Sequence, residues 1–330
     1  MSGPQTLHSH PVPRIGGVGI VLGTVMTLTL LWLLHGSEAG FGLKLVACAA
    51  PTFLAGLAED VTGRQTPSRR LFFTAVSAVL ALFVLDAAID RTDIPGLDWL
   101  VSFTVGAALA TIFAVSGVAN AVNIIDGFNG LAAMCVMMML AAIAYVSFQA
   151  QDPMIGLWAL AGLGAVMGFF IWNFPAGLIF LGDGGAYFLG FYVAELSILL
   201  LNRNPEVSPM FPLLMCIYPI FETVFTMYRR KVVRGRPMGM PDGVHLHSLI
   251  YRRLTRWAVG NHSAKALTKR NSLTAPYLWM LCMCSVIPAV VFWDSTAILS
   301  GFIVVFGVTY VFLYARIVRF KTPGWLIVRR

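Results

Sequence analysis

Long apolar runs separated by short polar segments dominate this sequence, and that pattern predicts membrane-spanning helices. Each run of about 20 apolar residues is long enough to cross a hydrocarbon core roughly 30 Å thick. We therefore predict an all-α, polytopic integral membrane protein with about ten transmembrane helices. These helices are expected at about residues 18–35, 41–58, 71–89, 99–119, 131–148, 154–171, 186–201, 208–227, 276–293 and 297–315.

The composition fits a membrane protein and excludes an ordinary soluble domain. Hydrophobic residues make up 58% of the 330-residue chain and charged residues only 12%, whereas soluble domains are about a quarter charged. The mean hydropathy is +0.79. All five cysteines lie inside apolar runs without metal-ligand spacing, so we interpret them as small apolar residues.

The net charge of +8 reflects membrane topology rather than nucleic-acid binding. If the N-terminus and every second loop lie on one side, that side holds 20 of the 23 basic residues. The positive-inside rule then predicts that both termini and these loops face the cytoplasm. The loops on this side cover about residues 8–19, 59–70, 120–130, 172–185 and 228–275.

The segment Asn120–Ala132 (NAVNIIDGFNGLA) places four polar side chains between two apolar runs. Asn120, Asn123, Asp126 and Asn129 recur at three-residue intervals, so a helical conformation would put them on one face. One interpretation is a polar helix cap beside a glycine turn. The other is an oxygen-ligand site for Mg²⁺ and phosphate, because polar groups at the ends of membrane helices are costly unless something binds them.

Two further acidic motifs lie at predicted helix ends. Glu59 and Asp60 follow the second helix, either as solvated acids paired with arginines of the same loop or as carboxylates for metal coordination or proton transfer. Asp183 lies between glycines in LGDGG, before a helix expected near Ala186. That arrangement is either a plain turn or a place where a phosphate reaches backbone N–H groups at a helix N-terminus.

Histidines and intramembrane acids complete the candidates. His245 and His247 lie in a loop rich in arginine, either as a solvated pair or as part of a cationic surface that contacts lipid headgroups or clamps a diphosphate. Glu195 and Glu222 lie inside apolar runs, far in sequence from these loops. Acids inside membranes are functional candidates by default, but for these two we favour structural hydrogen bonding.

Five motifs, in this order along the chain, resemble those of the polyprenyl-phosphate N-acetylhexosamine-1-phosphate transferase superfamily, also called glycosyltransferase family 4. The motifs are PVPRIGG, the acidic pair Glu59-Asp60, NAVNIIDGFNGLA, FLGDGG and PDGVHLHS. They extend from about His8 to about Arg256. The two-histidine pattern is most similar to the bacterial undecaprenyl-phosphate GlcNAc-1-phosphate transferase branch of the family.

The resemblance implies a single transmembrane transferase domain in the bacterial cytoplasmic membrane, with its active site on the cytoplasmic face. Such enzymes transfer an N-acetylhexosamine 1-phosphate, here expected to be GlcNAc 1-phosphate, from a UDP-sugar to undecaprenyl phosphate. They release UMP and use Mg²⁺, or Mn²⁺ in its place. The product would initiate a lipid-linked cell-envelope polysaccharide such as O-antigen. Membrane lipids are expected partners, nucleic acid is not, and a homodimer is compatible with the pattern.

Three questions stay open at the level of sequence. Another UDP-N-acetyl sugar, or phospho-MurNAc-pentapeptide, would be transferred by the same chemistry. A secondary transporter is the alternative from a different class, although it would place polar residues near the bilayer midplane. The chain starts only seven residues before His8, where family members usually carry one more helix, so it stays open whether the sequence is truncated or its start misassigned.

By the resemblance, individual residues take specific roles. Asp183 and Asn123 are the expected Mg²⁺ ligands. Asn129 stands where many members have an aspartate and is not expected to bind metal. Glu59 replaces the first aspartate of the usual pair, so its role as general base or as electrostatic group stays open. The catalytic residues would be Glu59, Asp60, Asp126, His245 and His247, and the substrate-binding residues Arg14, Asn120, Asn123, Gly182 and Arg64.

Overall fold

The computed structural model describes residues 12–36, 38, 40–233, 245–253 and 264–319, without the side chains of 264–266. Within these ranges every regular element is a helix. Several sequence predictions lie outside the described residues, namely the start of the first loop with His8, the Pro241-Asp242 part of the histidine motif, and the basic C-terminal residues from 320 onward.

The helices follow one another with short connections. A π-helical turn, Arg229–Val233, continues α11. The fifteen described α-helices are α1 (Gly16–His35), α2 (Phe41–Cys48), α3 (Ala50–Thr62), α4 (Pro67–Val84), α5 (Pro95–Val101), α6 (Thr104–Ile125), α7 (Leu131–Gln149), α8 (Pro153–Asn173), α9 (Gly182–Arg203), α10 (Met210–Met215), α11 (Ile217–Tyr228), α12 (Leu246–Arg253), α13 (Ala264–Ser272), α14 (Ala275–Val291) and α15 (Thr296–Val318).

The prediction of an all-α, multi-pass membrane protein is confirmed. In the described ranges, eight helices are long and apolar enough to cross a membrane, or nine if the bent pair α2 and α3 forms one span. That pair bends by 44°. The segment predicted as one helix at 208–227 consists of two short helices, α10 and α11, which are separated by Cys216. All five cysteines are free.

Several helix boundaries differ from the prediction, and these differences move motif residues into helices. Helix α3 extends to Thr62 and therefore contains Glu59 and Asp60. The segment predicted at 99–119 is divided into α5 and α6, and α6 extends to Ile125. Asn120 and Asn123 therefore lie on the last turns of a helix and not in a loop. Helix α9 begins at Gly182 instead of near Ala186, so Asp183 lies in its first turn.

Helix α9 is the central helix of the protein. In its most apolar 18-residue window 94% of the residues are buried, against 22% in α1 and 17% in α15. Helix α9 packs against α1, α3, α6 and α7. A helix that is apolar all round, with almost every residue buried, forms the core of a helix bundle.

Glycines allow three helices to approach closely where α9 begins. A Cβ atom at Gly17 of α1 would lie 2.4 Å from the backbone nitrogen of Gly185. A Cβ atom at Gly56 of α3 would lie 2.5 Å from the nitrogen of Gly184. Such small-residue contacts let backbones pack directly against each other inside a membrane. The loops that precede α1 and follow α3 are thereby brought to the N-terminus of α9.

The motif loops contact one another at this end of the helix bundle. The amide of Gly16 donates to the carbonyl of Phe180 at 3.0 Å, which joins the first loop to the fourth. The amide of Asn129 donates to the side-chain oxygen of Asn271 at 2.8 Å, which joins the third loop to the fifth. The described parts of the predicted cytoplasmic loops thus form one surface.

The connections between the opposite helix ends form a second polar layer. Arg203 forms an ion pair with Asp152 at 2.7 Å, across the ends of α9 and α8. Arg91 donates to the carbonyl of Val207 at 2.7 Å. These contacts involve two of the three basic residues assigned to the far side of the membrane. The two polar layers therefore lie at opposite ends of the apolar helices.

This arrangement predicts that two exposed positions lie on opposite sides of the membrane. Ser68 lies beside the acidic motifs, and Asp90 lies in the opposite layer. If the basic surface faces the cytoplasm, as the positive-inside rule predicts, a single cysteine at Ser68 should react with a membrane-impermeant maleimide only after the membrane is opened. A cysteine at Asp90 should react in intact spheroplasts. Reaction of both under the same condition would contradict the helix arrangement.

Candidate active site

The carboxylate of Asp60 caps the N-terminus of α9. Its two oxygens accept hydrogen bonds from the backbone amides of Asp183 and Gly184, each at 2.9 Å. The first amides of a helix have no partner within it and carry a partial positive charge, which favours an anion. The sequence left a plain turn and a phosphate contact as alternatives here, and in the structure these two amides already have a protein acceptor. The anion is a carboxylate of the protein itself.

Gly182 makes this capping contact sterically accessible. Its φ angle is +77°, and a Cβ atom there would lie 2.5 Å from an Asp60 carboxylate oxygen. Side chains other than glycine rarely adopt such a φ value. Gly182 therefore leaves the space in which the Asp60 carboxylate reaches the end of α9. The structure shows no feature that requires Gly182 to contact a substrate.

The side chain of Asp183 forms an ion pair with Arg70 of α4. The Arg70 guanidinium also lies 5.6 Å from the centre of the Tyr187 ring. The Tyr187 hydroxyl in turn donates to the side-chain oxygen of Asn120 at 3.3 Å. The predicted residues Asp183 and Asn120 are thus linked through two residues that the sequence analysis did not assign to the site, Arg70 and Tyr187.

Glu59 and Asp60 have different partners although they are adjacent. A carboxylate oxygen of Glu59 accepts a hydrogen bond from the amide of Gln65, which closes the turn between α3 and α4. Neither acid is therefore a simple solvated group. The charges that act on Asp60 are those of Arg14, Glu59 and Arg70. Arg64 is exposed, and the structure does not bring its side chain to the acids.

Asp126 lies directly after the C-terminus of α6, close to the same acidic group. The pKa of its carboxyl is raised to about 7, chiefly by burial and also by the negative charge of Asp60, while Arg14 opposes the shift. Asn123 is half-buried one turn earlier. Among the described residues, neither side chain has a hydrogen-bond partner. Both therefore have oxygen atoms that are free to bind a ligand.

Asn129 does not share a face with the other polar residues of its motif. The helix ends before it, and the Asn129 side chain turns inward and is 2% exposed. Its amide nitrogen donates to the carbonyl of Pro175 at 3.2 Å. The neighbouring Gly130 amide donates to the side-chain oxygen of Asn173 at 2.6 Å. The prediction that all four polar side chains share a face was wrong, and Asn129 instead connects the loops.

The two histidines lie against the Asp126 turn and are not a solvated pair. His247 is 5% exposed, and its ring centre lies 5.4 Å from that of Phe128. A Cβ atom at Gly127 would lie 3.4 Å from His247 Nε2. The pKa of His247 is lowered to about 4, chiefly by burial and also by His245, while the negative charge of Glu222 opposes the shift. His247 is therefore held neutral at physiological pH.

Glu222, which seemed distant in sequence, contacts the histidine motif directly. One carboxylate oxygen lies 3.2 Å from His245 Nδ1. The His245 and His247 rings are nearly parallel, at 5.0 Å between their centres. Glu195, by contrast, is fully buried, and its oxygens have no hydrogen-bond partner among the described residues. The prediction of structural hydrogen bonding is therefore wrong for Glu195 within the described residues. Glu222 is hydrogen-bonded, and one of its partners is the motif residue His245.

Comparison with known proteins places this geometry in a family. Residues 43–201 match the model of glycosyl transferase family 4. An undecaprenyl-phosphate α-N-acetylglucosaminyl 1-phosphate transferase from Thermotoga maritima is 30% identical over 76% of this chain and 72% of its own length. The chain belongs to glycosyl transferase family 4. A probable enzyme of the same kind from Bacillus subtilis is 25% identical over 95% of this chain and 82% of its own length.

Other relatives within glycosyl transferase family 4 have different names. A decaprenyl-phosphate N-acetylglucosaminephosphotransferase from Mycolicibacterium smegmatis is 25% identical over 92% of this chain and 78% of its length. A phospho-N-acetylmuramoyl-pentapeptide-transferase from Staphylococcus carnosus is 25% identical over 63% of this chain and 68% of its length. Membership in glycosyl transferase family 4 therefore leaves the transferred group to be decided.

Three residues that contribute to this family 4 site were not predicted as site residues: Arg70, Tyr187 and Glu222. The sequence did contain a signal for Glu222, because a carboxylate within an apolar helix is a functional candidate by default. Arg70 and Tyr187 had none that separates them from a surface cation and a core aromatic. Their role depends on the packing of α4 and α9, which a single sequence does not reveal.

The buried neutral state of His247 leads to a prediction about stability. Because its folded pKa of about 4 lies below the usual His value of about 6.5, the unfolded chain binds more protons between these values. Stability should therefore fall as the pH falls from about 6.5 toward 4. In thermal unfolding of the detergent-solubilised protein, His247→Gln should lose less stability over this range than wild type. An equal loss in both proteins would contradict the burial of a neutral His247.

Proposed function

We propose that this protein transfers GlcNAc 1-phosphate from UDP-GlcNAc to undecaprenyl phosphate and releases UMP. The observation that carries the proposal is the meeting of Asp60, Asp183 and Asp126 with Arg70 at the end of a membrane-buried helix. A site at the ends of membrane helices can be reached by a nucleotide from water and by the phosphate of a lipid from the bilayer. The names of the Thermotoga and Bacillus relatives support undecaprenyl phosphate as the acceptor and N-acetylglucosaminyl 1-phosphate as the transferred group.

The reaction joins two phosphate groups and needs no redox partner. An oxygen of the lipid phosphate attacks the phosphorus that carries the sugar. The bond between that phosphorus and the bridging oxygen breaks, and UMP leaves with the electron pair. Catalysis of phosphoryl transfer rests mainly on positioning and on neutralising the charges of the reacting groups. The site should therefore contain cations and ligands for cations, and the structure contains both types of residue.

The residues present fit a divalent cation whose coordination shell is completed by the substrate. Mg²⁺ is usually bound by one or two carboxylates together with waters and substrate phosphates. Asp183 already faces a cationic group, and the side chain of Asn123 has no hydrogen-bond partner among the described residues. No cluster of three or more His, Cys, Asp or Glu residues arranged to hold a metal occurs in the described ranges. Asp183 and Asn123 would thus hold Mg²⁺, or Mn²⁺, which when bound neutralises diphosphate charge.

The basic residues have a separate task in this proposal. Arg70 pairs with Asp183, so its guanidinium lies where a diphosphate next to Asp183 would pass. Arg14 supplies a second positive charge, which acts on Asp60 and Asp126. Glu59 is better suited to an electrostatic role than to that of a base, because one of its oxygens already closes a turn through Gln65. By analogy with phosphate esters, a lipid phosphate has a second pKa of about 6. It is therefore mostly deprotonated at neutral pH and hardly needs a base.

We further propose that the reaction takes place on the cytoplasmic face of a bacterial inner membrane. There it would initiate a lipid-linked cell-envelope polysaccharide such as O-antigen. The expectation rests on the basic charge of the motif side and on the bacterial relatives. The acidic residues of the site lie at helix ends and not at the bilayer midplane, where a secondary transporter would place them.

The proposal predicts UMP release that depends on both substrates and on Asp183. Purified protein is mixed with undecaprenyl phosphate, Mg²⁺ and one UDP-sugar from a panel of UDP-GlcNAc, UDP-GalNAc and UDP-MurNAc-pentapeptide. UDP-GlcNAc should react fastest. Asp183→Asn should lower turnover by roughly 10²-fold or more, because the carboxylate that would hold the divalent cation on the diphosphate loses its charge.

The matched control for this variant is Asp90→Asn, an exposed aspartate in the opposite polar layer. It should retain wild-type turnover. If UMP is released faster with another UDP-sugar, that sugar takes the place of GlcNAc in the proposal. Absence of UMP release with every UDP-sugar, or full activity of Asp183→Asn, would contradict the function itself.

A further inference from the structure

The strongest unassigned feature of the molecule is the buried carboxylate of Glu222. Glu222 lies in α11 and is 0% exposed. The Leu246 amide donates to one oxygen at 3.0 Å, and the Tyr310 hydroxyl donates to the other at 2.7 Å. His245 Nδ1 lies 3.2 Å from the first oxygen. A buried carboxylate is costly unless it is hydrogen-bonded, and these three contacts satisfy it.

The three partners of Glu222 come from elements other than its own helix. Helix α12 begins at Leu246 and His245 directly precedes it, whereas Tyr310 belongs to α15. The Tyr310 ring also packs against Phe221 at 5.0 Å and Phe225 at 5.5 Å between ring centres. The carboxylate is thereby held on both oxygens, and its position relative to His245 is defined by packing.

This geometry determines which nitrogen of His245 carries a proton. An ionised carboxylate can only accept hydrogen bonds, so the Nδ1 atom that faces Glu222 must be the donor. The Thr226 hydroxyl lies 3.2 Å from the same Nδ1 and can accept from it as well. The other ring nitrogen, Nε2, is then left to interact with a ligand. The His245 side chain is 14% exposed, so it is accessible to one.

We propose that Glu222, supported by Tyr310, is a positioning residue for the transfer reaction. It acts through His245: it keeps Nδ1 protonated and holds the ring parallel to His247, which lies against the Gly127 turn beside Asp126. Nε2 of His245 is thereby available to the diphosphate. This inference rests on the proposed function, because His245 needs a phosphate-bearing substrate to act upon.

The activity test compares Glu222→Gln and Tyr310→Phe with wild type. Glu222→Gln keeps the size of the side chain and removes the charge, and Tyr310→Phe removes one supporting hydrogen bond. The kcat for UMP release should fall by roughly 10- to 100-fold in Glu222→Gln, as when the partner of a functional histidine is removed. The KM for UDP-GlcNAc should change little, since the chemistry is impaired rather than nucleotide binding. Tyr310→Phe should show a smaller loss of the same kind.

Two exposed residues provide matched controls. Glu206→Gln repeats the first substitution on a carboxylate that lies between α9 and α10, and Tyr145→Phe repeats the second on the surface of α7. Both should retain wild-type kcat and KM. Thermal unfolding of all four variants establishes how much folded protein each assay contains.

A second readout does not depend on activity. Nitrogen NMR of ¹⁵N-histidine protein, with the His245 signal assigned by its loss in His245→Gln, reports which ring nitrogen is protonated. Wild type should show His245 protonated at Nδ1, and Glu222→Gln should shift the population toward the Nε2–H form. The His247 signal should remain that of a neutral ring in both proteins.

The outcomes separate this inference from the proposed function. If wild type releases UMP but the variants lose activity only in proportion to their folded fraction, with an unchanged His245 tautomer, Glu222 merely joins helices and the inference is overturned. If wild type releases no UMP, the proposed function fails. In that case the tautomer measurement still supports or rejects the placement of His245 by Glu222.

Discussion

The site depends on one interaction, the capping of α9 by Asp60. A carboxylate from α3 accepts hydrogen bonds from two amides in the first turn of α9, the most buried of the membrane spans that the structure describes. A cap of this kind typically contributes about 1 kcal/mol, and the charge at the helix N-terminus adds roughly 0.3–1 kcal/mol. The contact also determines where Asp183 lies, because that residue supplies one of the two amides. Gly182, Gly184 and Gly56 are small because the cap and the helix contact leave no room for a Cβ atom.

The cap has an electrostatic consequence for the rest of the site. It brings a negative charge close to Asp126, whose carboxyl is already disfavoured in its ionised form by burial. Arg14 and Arg70 offset part of this charge. The site therefore holds several acids close together with only a few cations, an arrangement that favours binding of a further cation. His247, which lies against the Asp126 turn, is neutral and adds no positive charge. His245 is the histidine of the pair that contacts Glu222 and that Glu222 can orient.

Much of this arrangement could be predicted from the sequence, and the limits are physical. Apolar run length decided the membrane class, and the distribution of basic residues separated the two polar layers. The motif spacing found the acids, since Asp60, Asp126 and Asp183 do meet. The sequence pattern did not predict the role of a residue where that role depends on a tertiary contact. It did not show that Asp60 faces helix amides, that Asn129 turns inward to the loops, or that Glu222 reaches His245 from another helix.

The central claim is that Asp60 caps α9 and does not primarily hold a metal, and amide exchange in metal-free protein tests this most directly. Amides that lose their acceptor exchange faster with solvent deuterium. In chelator, Asp60→Asn should therefore show faster exchange than wild type in the first turn of α9, around Asp183 and Gly184. Glu59→Gln, the neighbouring acid whose contact is with Gln65, should leave that turn unchanged. Unchanged exchange in Asp60→Asn without metal would contradict the account.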